Sequence, residues 1–188
     1  MAGDVASLLH AEAAVPGDLH VLPTGTIHAL GAGTLVGRGA DAQRHDLPRL
    51  RLGEGAGPDR PPACTWTRAQ RCILESPPPA ARRIEPGQTA GRLCALEAFS
   101  IDQIQPQGAD HVPLAFDGRC QVLMVLQGAG EVLVEGDDAA RLPVHAGHTV
   151  VVPAAVADRC VFVCDPAVPP GGASLLRVGV GPADGARG

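Results

Sequence analysis

Pro16-Gly17-Asp18-Leu19-His20-Val21-Leu22-Pro23-Thr24-Gly25-Thr26-Ile27-His28 aligns without a gap on a second stretch of the same chain, Ala146-Gly147-His148-Thr149-Val150-Val151-Val152-Pro153-Ala154-Ala155-Val156-Ala157-Asp158. Both copies read Gly, five residues, Pro. The mechanics are coherent: Gly permits a turn into a strand, the apolar run is the strand, and Pro ends it where no ladder donor is needed. Two copies of one β-module on one chain predict a duplicated barrel.

Around the first copy, from Leu8 to Val36, short apolar runs alternate with turn residues. Strands are expected at His20 to Leu22, Ile27 to Leu30 and Leu35-Val36. From Gly53 to Gly91 the composition turns rich in Pro and Gly, including Pro77-Pro78-Pro79, which predicts a linker with at most one short helix around Thr67 to Leu74. Around the second copy β-patterning returns. The strand candidates are Leu93 to Ile104, Gln121 to Leu126, Glu131 to Val134, His148 to Val152, Cys160 to Cys164 and Ser174 to Val180. Several are near-continuous apolar runs, as expected of strands inside a sandwich or small barrel.

Composition narrows the function classes. At 188 residues the chain can bury a core without disulfide help. With three Phe, one Trp and no Tyr, that core is built from Val, Leu, Ile and Ala, and there are no aromatic platforms for stacking bases. All 15 basic residues are Arg, the formal charge is −5, and no basic footprint for a phosphate backbone exists, so nucleic acid is excluded as the expected partner. No run approaches the roughly 18 consecutive apolar residues of a membrane span. The opening residues carry Asp4 where a signal peptide carries basic residues, so the expected location is the cytoplasm. In that reducing compartment the six cysteines, Cys64, Cys72, Cys94, Cys120, Cys160 and Cys164, are expected as thiols, and none of them has C-x-x-C spacing.

Gly17-x5-Pro23-x-Gly25-x2-His28 resembles the second motif of the cupin superfamily, the jelly-roll barrels that hold a metal among inward-facing His and Glu. With its surroundings, Val15 to Asp18, Val21 to Pro23 and Gly25 to Val36, the segment is similar to the type I phosphomannose isomerases over roughly thirty residues. The similarity continues more weakly through Arg92 to Phe99, Val122 to Gly136 and Gly147 to Pro153, which look like the extra C-terminal cupin of those enzymes. The resemblance implies the conversion of mannose 6-phosphate into fructose 6-phosphate with zinc, so a sugar phosphate is the implied ligand. His28 matches one zinc ligand of the family. Arg44, in Arg44-His45-Asp46, is the nearest match to an Arg assigned to proton transfer. A fixed guanidinium or a metal would stabilise the enediolate that such an isomerisation passes through.

The remaining family ligands, a Gln-x-His-Pro pair and a Glu after Lys-Pro, have no counterpart: the chain contains no Lys, and Glu12 is the one Glu before His28. One imidazole cannot hold a catalytic zinc, which takes three protein ligands and an open position. The second copy has Asp158 at the ligand position, so its barrel is expected to be metal-free.

The expected organisation is all-β. Residues 1–45 are the C-terminal half of a first cupin barrel, 46–91 a linker, 92–181 a second cupin barrel and 182–188 a tail. Two function classes stand: an apparently truncated isomerase-like protein, inactive alone, or a non-enzymatic cupin module binding a sugar or a partner chain. The unpaired edge of a half barrel predicts self-association, or another chain that completes it. Other residues read more plainly. His20 falls on a solvent face, His145-x-x-His148 is a turn because Pro143 and Gly147 break any helix, Arg82-Arg83 is a solvated pair, and Cys160 and Cys164 are small buried hydrophobes.

Overall fold

The computed structural model describes residues 9–38, 73, 77, 79–85, 87–108, 111–115 and 118–181. The chain divides into two compact units, residues 1–36 with 40–81 and residues 37–39 with 82–188.

Within the second unit the strands run β1 (Ala90–Ala95), β2 (Phe99–Ile104), β3 (His111–Pro113), β4 (Gln121–Gln127), β5 (Ala129–Val134), β6 (Asp137–His145), β7 (Thr149–Val152), a four-residue helix α1 (Ala154–Ala157), β8 (Cys160–Cys164) and β9 (Ser174–Val180). They form two antiparallel sheets, β1-β2-β9-β4-β7 and β3-β8-β5-β6. Without β1, each sheet has four strands and successive strands alternate between them except for the hairpin β5–β6, which stays within one sheet; this is the strand order of a double-sheet jelly roll. The jelly roll expected around the second copy is thus the fold of residues 90–180.

Alternation sets which side chains face inward. Leu123, Val125, Leu175 and Ile104 from one sheet meet Val132, Val144, Cys160, Phe162 and Cys164 from the other, with Leu114 and Ala157. Phe162 is fully buried, and Gly130 is what lets it lie flat on β5: a Cβ there would stand 2.5 Å from the ring's Cζ and 2.3 Å from the Val163 carbonyl oxygen. Any side chain at 130 would push the two strands apart. The β6–β7 turn, with Gly147 at φ 90°, is tied to β4 by Gly147 N–H to Val125 O at 2.8 Å and Val125 N–H to His148 O at 2.9 Å. His145 and His148 flank that turn with ring centroids 3.6 Å apart, as a turn rather than a helix.

Two sequence expectations are corrected. The strands expected between Leu8 and Val36 do not form: residues 9–38 hold turns and a single isolated bridge residue at Leu19. A strand without ladder partners leaves its backbone groups to water, and an apolar run alone does not offset that. The single run expected from Leu93 to Ile104 is two strands, reversed at Leu96-Glu97-Ala98, where Leu96 N–H bonds Phe99 O at 2.8 Å. The helix expected around Thr67 to Leu74 lies, apart from Ile73, outside the described residues.

Candidate functional site

Register assembles a polar patch on the inner face of the five-stranded sheet. Starting in the core, one row reads Ile104, Leu175, Val125; the next reads Asp102, Arg177, Leu123; the last reads Ser100, Gly179, Gln121. Arg92 on β1 pairs with Asp102 from the edge. Half of this inner face is hydrocarbon and half is polar, and buried polar residues are the informative ones.

Asp102 is 5% exposed. Its Oδ1 accepts from Arg92 Nε at 2.6 Å, and its Oδ2 accepts from Arg177 Nε at 3.2 Å and Nη2 at 2.9 Å. Arg177 Nη1 reaches across to the Ala115 carbonyl oxygen at 3.2 Å. Desolvating a carboxylate costs several kcal/mol, and here two guanidiniums offset it, one largely buried and one half in solvent. Beside this cluster lies an open cleft of about 270 Å³ lined by Ala90, Gly91, Arg92, Asp102 and Arg177.

One row further, Ser100 and Gln121 are closed to solvent. Gln121 Nε2 donates to the Leu114 carbonyl oxygen, but its Oε1 has no hydrogen-bond partner among the described residues, nor has Ser100 Oγ. Gly179, between them in register, places no side chain there. Each unmet buried group costs about 1–3 kcal/mol, so the barrel carries stored polar demand at this level. The facing wall is apolar. Leu114 N–H bonds Cys160 O at 2.8 Å, and burial pushes the Cys160 thiol's pKa up, keeping it protonated and a poor nucleophile or metal ligand.

The residues singled out by sequence stand elsewhere. His28 is exposed, three residues past the turn at Thr24-Gly25, its Nδ1 3.0 Å from the Thr26 carbonyl oxygen. His20 is exposed, and His10 pairs with Glu12 at 3.3 Å. Asp158, which takes the ligand position in the second copy, accepts from Gly118 N–H at 3.1 Å and so fastens a turn. Arg44 lies outside the described residues. Among the described residues no three His, Cys, Asp or Glu are grouped to hold a metal, so the donors described do not fit zinc. Nor does any described helix have the length and apolarity to cross a membrane.

Ser100, Asp102, Gln121 and Arg177 were missed in the sequence reading. Their signal is nonetheless present: a charge in the middle of Phe99-Ser-Ile-Asp-Gln-Ile104 and another in the middle of Ser174-Leu-Leu-Arg-Val-Gly-Val180, at alternate positions shared with core residues.

No protein-family profile matches the chain, and no curated protein sequence matches it. Solved structures do. A cupin with a double-stranded β-helix fold from Methanocaldococcus jannaschii shares 13% identity over 53% of this chain and 88% of its own, at a TM-score of 0.41. A protein proposed to be a mannose-6-phosphate isomerase from Ralstonia eutropha shares 22% over 52% and 87%, at 0.38. KdgF from a Halomonas species shares 18% over 55% and 86%, at 0.40.

Proposed function

We propose that this chain is a mannose-6-phosphate isomerase-like protein of cytoplasmic carbohydrate metabolism in which the jelly roll of residues 90–180 is a non-catalytic barrel. The observation supporting this is the combination, on one chain, of the segment around His28, which resembles the isomerases' motif, and a complete jelly roll built on that motif's second copy. Zinc belongs to this reading by resemblance alone, and the donors among the described residues do not fit it. The exposed place of His28, whose Nδ1 lies 3.0 Å from the Thr26 carbonyl oxygen, favours a second reading, a non-enzymatic cupin module that binds a sugar or a partner chain.

A coupled assay of the whole chain with mannose 6-phosphate is expected to show no turnover. Turnover abolished by a zinc chelator would overturn the non-catalytic reading and restore the resemblance in full. Self-association belongs to the proposal too. Leu30 and Leu35 are 63% and 97% exposed, with Val15, Leu22, Ile27 and Val36 also open, and light scattering on the same preparation is expected to show species larger than one chain.

A further inference from the structure

We propose that His145 and His148, at the turn between β6 and β7, form a two-nitrogen site for a borderline divalent transition-metal ion of the Ni(II) or Cu(II) class, with water filling its other positions. The inference is independent of the isomerase reading, and its ligand set differs from the three-ligand zinc site which that reading implies.

Three observations carry it. First, the two imidazoles stand with ring centroids 3.6 Å apart and planes tilted by 40°, and both residues are exposed. Two nitrogens held at right angles, each about 2 Å from one ion, are about 3 Å apart, so a small opening of two solvent-facing rings brings them into place. Second, His145 Nδ1 lies 3.0 Å from the Ala146 carbonyl oxygen. A carbonyl oxygen only accepts, so Nδ1 carries the proton and the lone pair stays on Nε2. A metal-ligating histidine commonly gives its other N–H to a backbone carbonyl in this way. Third, the turn does not require the histidines. Val15 and Asp18 hold the aligned positions in the first copy, yet Asp18 N–H bonds Val15 O at 3.1 Å much as His148 N–H bonds His145 O at 3.0 Å. Neither ring belongs to the hydrophobic core.

The backbone beneath the pair is fixed before any ion arrives. Ala146 N–H bonds Gly128 O at 2.9 Å, Gly147 N–H bonds Val125 O at 2.8 Å, and Val125 N–H bonds His148 O at 2.9 Å. Binding therefore orders two side chains and no loop, which keeps its entropic cost small. Imidazole nitrogen suits copper and nickel, whereas magnesium and calcium take oxygen ligands. Two protein ligands make the site exchangeable, with Cu(II) held more tightly than Ni(II).

The test is calorimetric titration of the full chain with Ni(II), since Cu(II) also oxidises thiols and the chain has six cysteines. Ni(II) is expected to bind with micromolar affinity, and Mg(II) is expected to give no signal. His145→Ala and His148→Ala are each expected to weaken Ni(II) binding about tenfold or more, with the melting temperature unchanged because both side chains are exposed. His28→Ala is expected to leave the binding as it is. Broadening of backbone amide NMR signals by substoichiometric Ni(II) is expected to centre on residues 145–148 and to reach Val125 on β4. Absence of Ni(II) binding below millimolar concentration, binding undiminished in His145→Ala/His148→Ala, an equal response to Mg(II), or broadening centred elsewhere overturns the inference.

Discussion

The two copies of the Gly-x5-Pro pattern begin alike and part where the chain needs a neighbour. Gly17 and Gly147 both adopt left-handed backbone, at φ 93° and 90°. Asp18 N–H bonds Val15 O at 3.1 Å, and His148 N–H bonds His145 O at 3.0 Å, so the same turn precedes each apolar run. After the runs, Thr26 N–H bonds Pro23 O and Val156 N–H bonds Pro153 O, both at 3.1 Å. Between those matching turns the second copy is strand β7, hydrogen-bonded to β4, whereas the first holds one isolated bridge residue. Turns are local and follow from the glycine and the proline. A strand is a pairwise object, and β4 is the partner that the first copy lacks.

The sharpest way to break this comparison is to truncate the aligned residues Val152 and Leu22. Val152 is 2% exposed and packs in the barrel core, opposite Gln121 in the register; Leu22 is 40% exposed. Val152→Ala removes two buried methyl groups and leaves a cavity, so it is expected to cost about 2 kcal/mol. Leu22→Ala is expected to stay within about 0.5 kcal/mol. Urea unfolding of each variant measures both, and equal losses would mean that the first copy carries a core after all.

The glycines sharpen it further. A Cβ at Gly147 would meet nothing within 4 Å, so Gly147→Ala isolates the backbone term. Forcing an alanine into left-handed backbone costs about 1–2 kcal/mol, and here that strain falls on a turn bonded directly to β4. The barrel's thermal midpoint is expected to drop accordingly. Gly17→Ala meets the same backbone demand in a turn that leads into no ladder, and the barrel's midpoint is expected not to move.

How far the sequence could be read follows the same division. Cys160 to Cys164 and Ser174 to Val180 were legible to the residue as β8 and β9, because each is a mostly apolar run of strand length. β6 was missed. Asp137 to His145 carries two Asp, an Arg and Pro143, which read as loop, and the strand forms at the edge of its sheet, where a missing N–H costs no ladder bond. The reversal at Leu96-Glu97-Ala98 was hidden because it contains no Gly, Pro, Asn or Asp. The candidate site was the least legible part. Asp102, Arg177 and Arg92 become neighbours only through the pairing of β2 with β9 and β1, and Arg177 is 75 residues from Asp102. His28, by contrast, was legible from its motif. The motif places a turn, but a metal site needs donors from several strands, and that segment has no sheet to bring them together.

The smallest expected effect is a pH dependence confined to the barrel. Among residues 9–38 there is no cysteine, whereas burial raises the pKa of both Cys94 and Cys160 above that of an ordinary thiol. Nearby Arg82 and Arg92 work against burial at Cys94, as Arg159 does at Cys160, without reversing it. In the unfolded chain these thiols ionise near pH 8.5; in the folded barrel they hold their protons to higher pH. Between the two values the unfolded state carries fewer protons, so raising the pH favours unfolding. The thiols' contribution to stability is therefore whole below about pH 8 and is lost as pH climbs through the folded values. Urea midpoints taken between pH 7 and 10 are expected to decline on the alkaline side, and Cys160→Ala is expected to flatten part of that decline at the cost of a small core void. A decline of the same size in Cys94→Ala/Cys160→Ala would assign it to other groups and remove the thiols from the difference between the two regions.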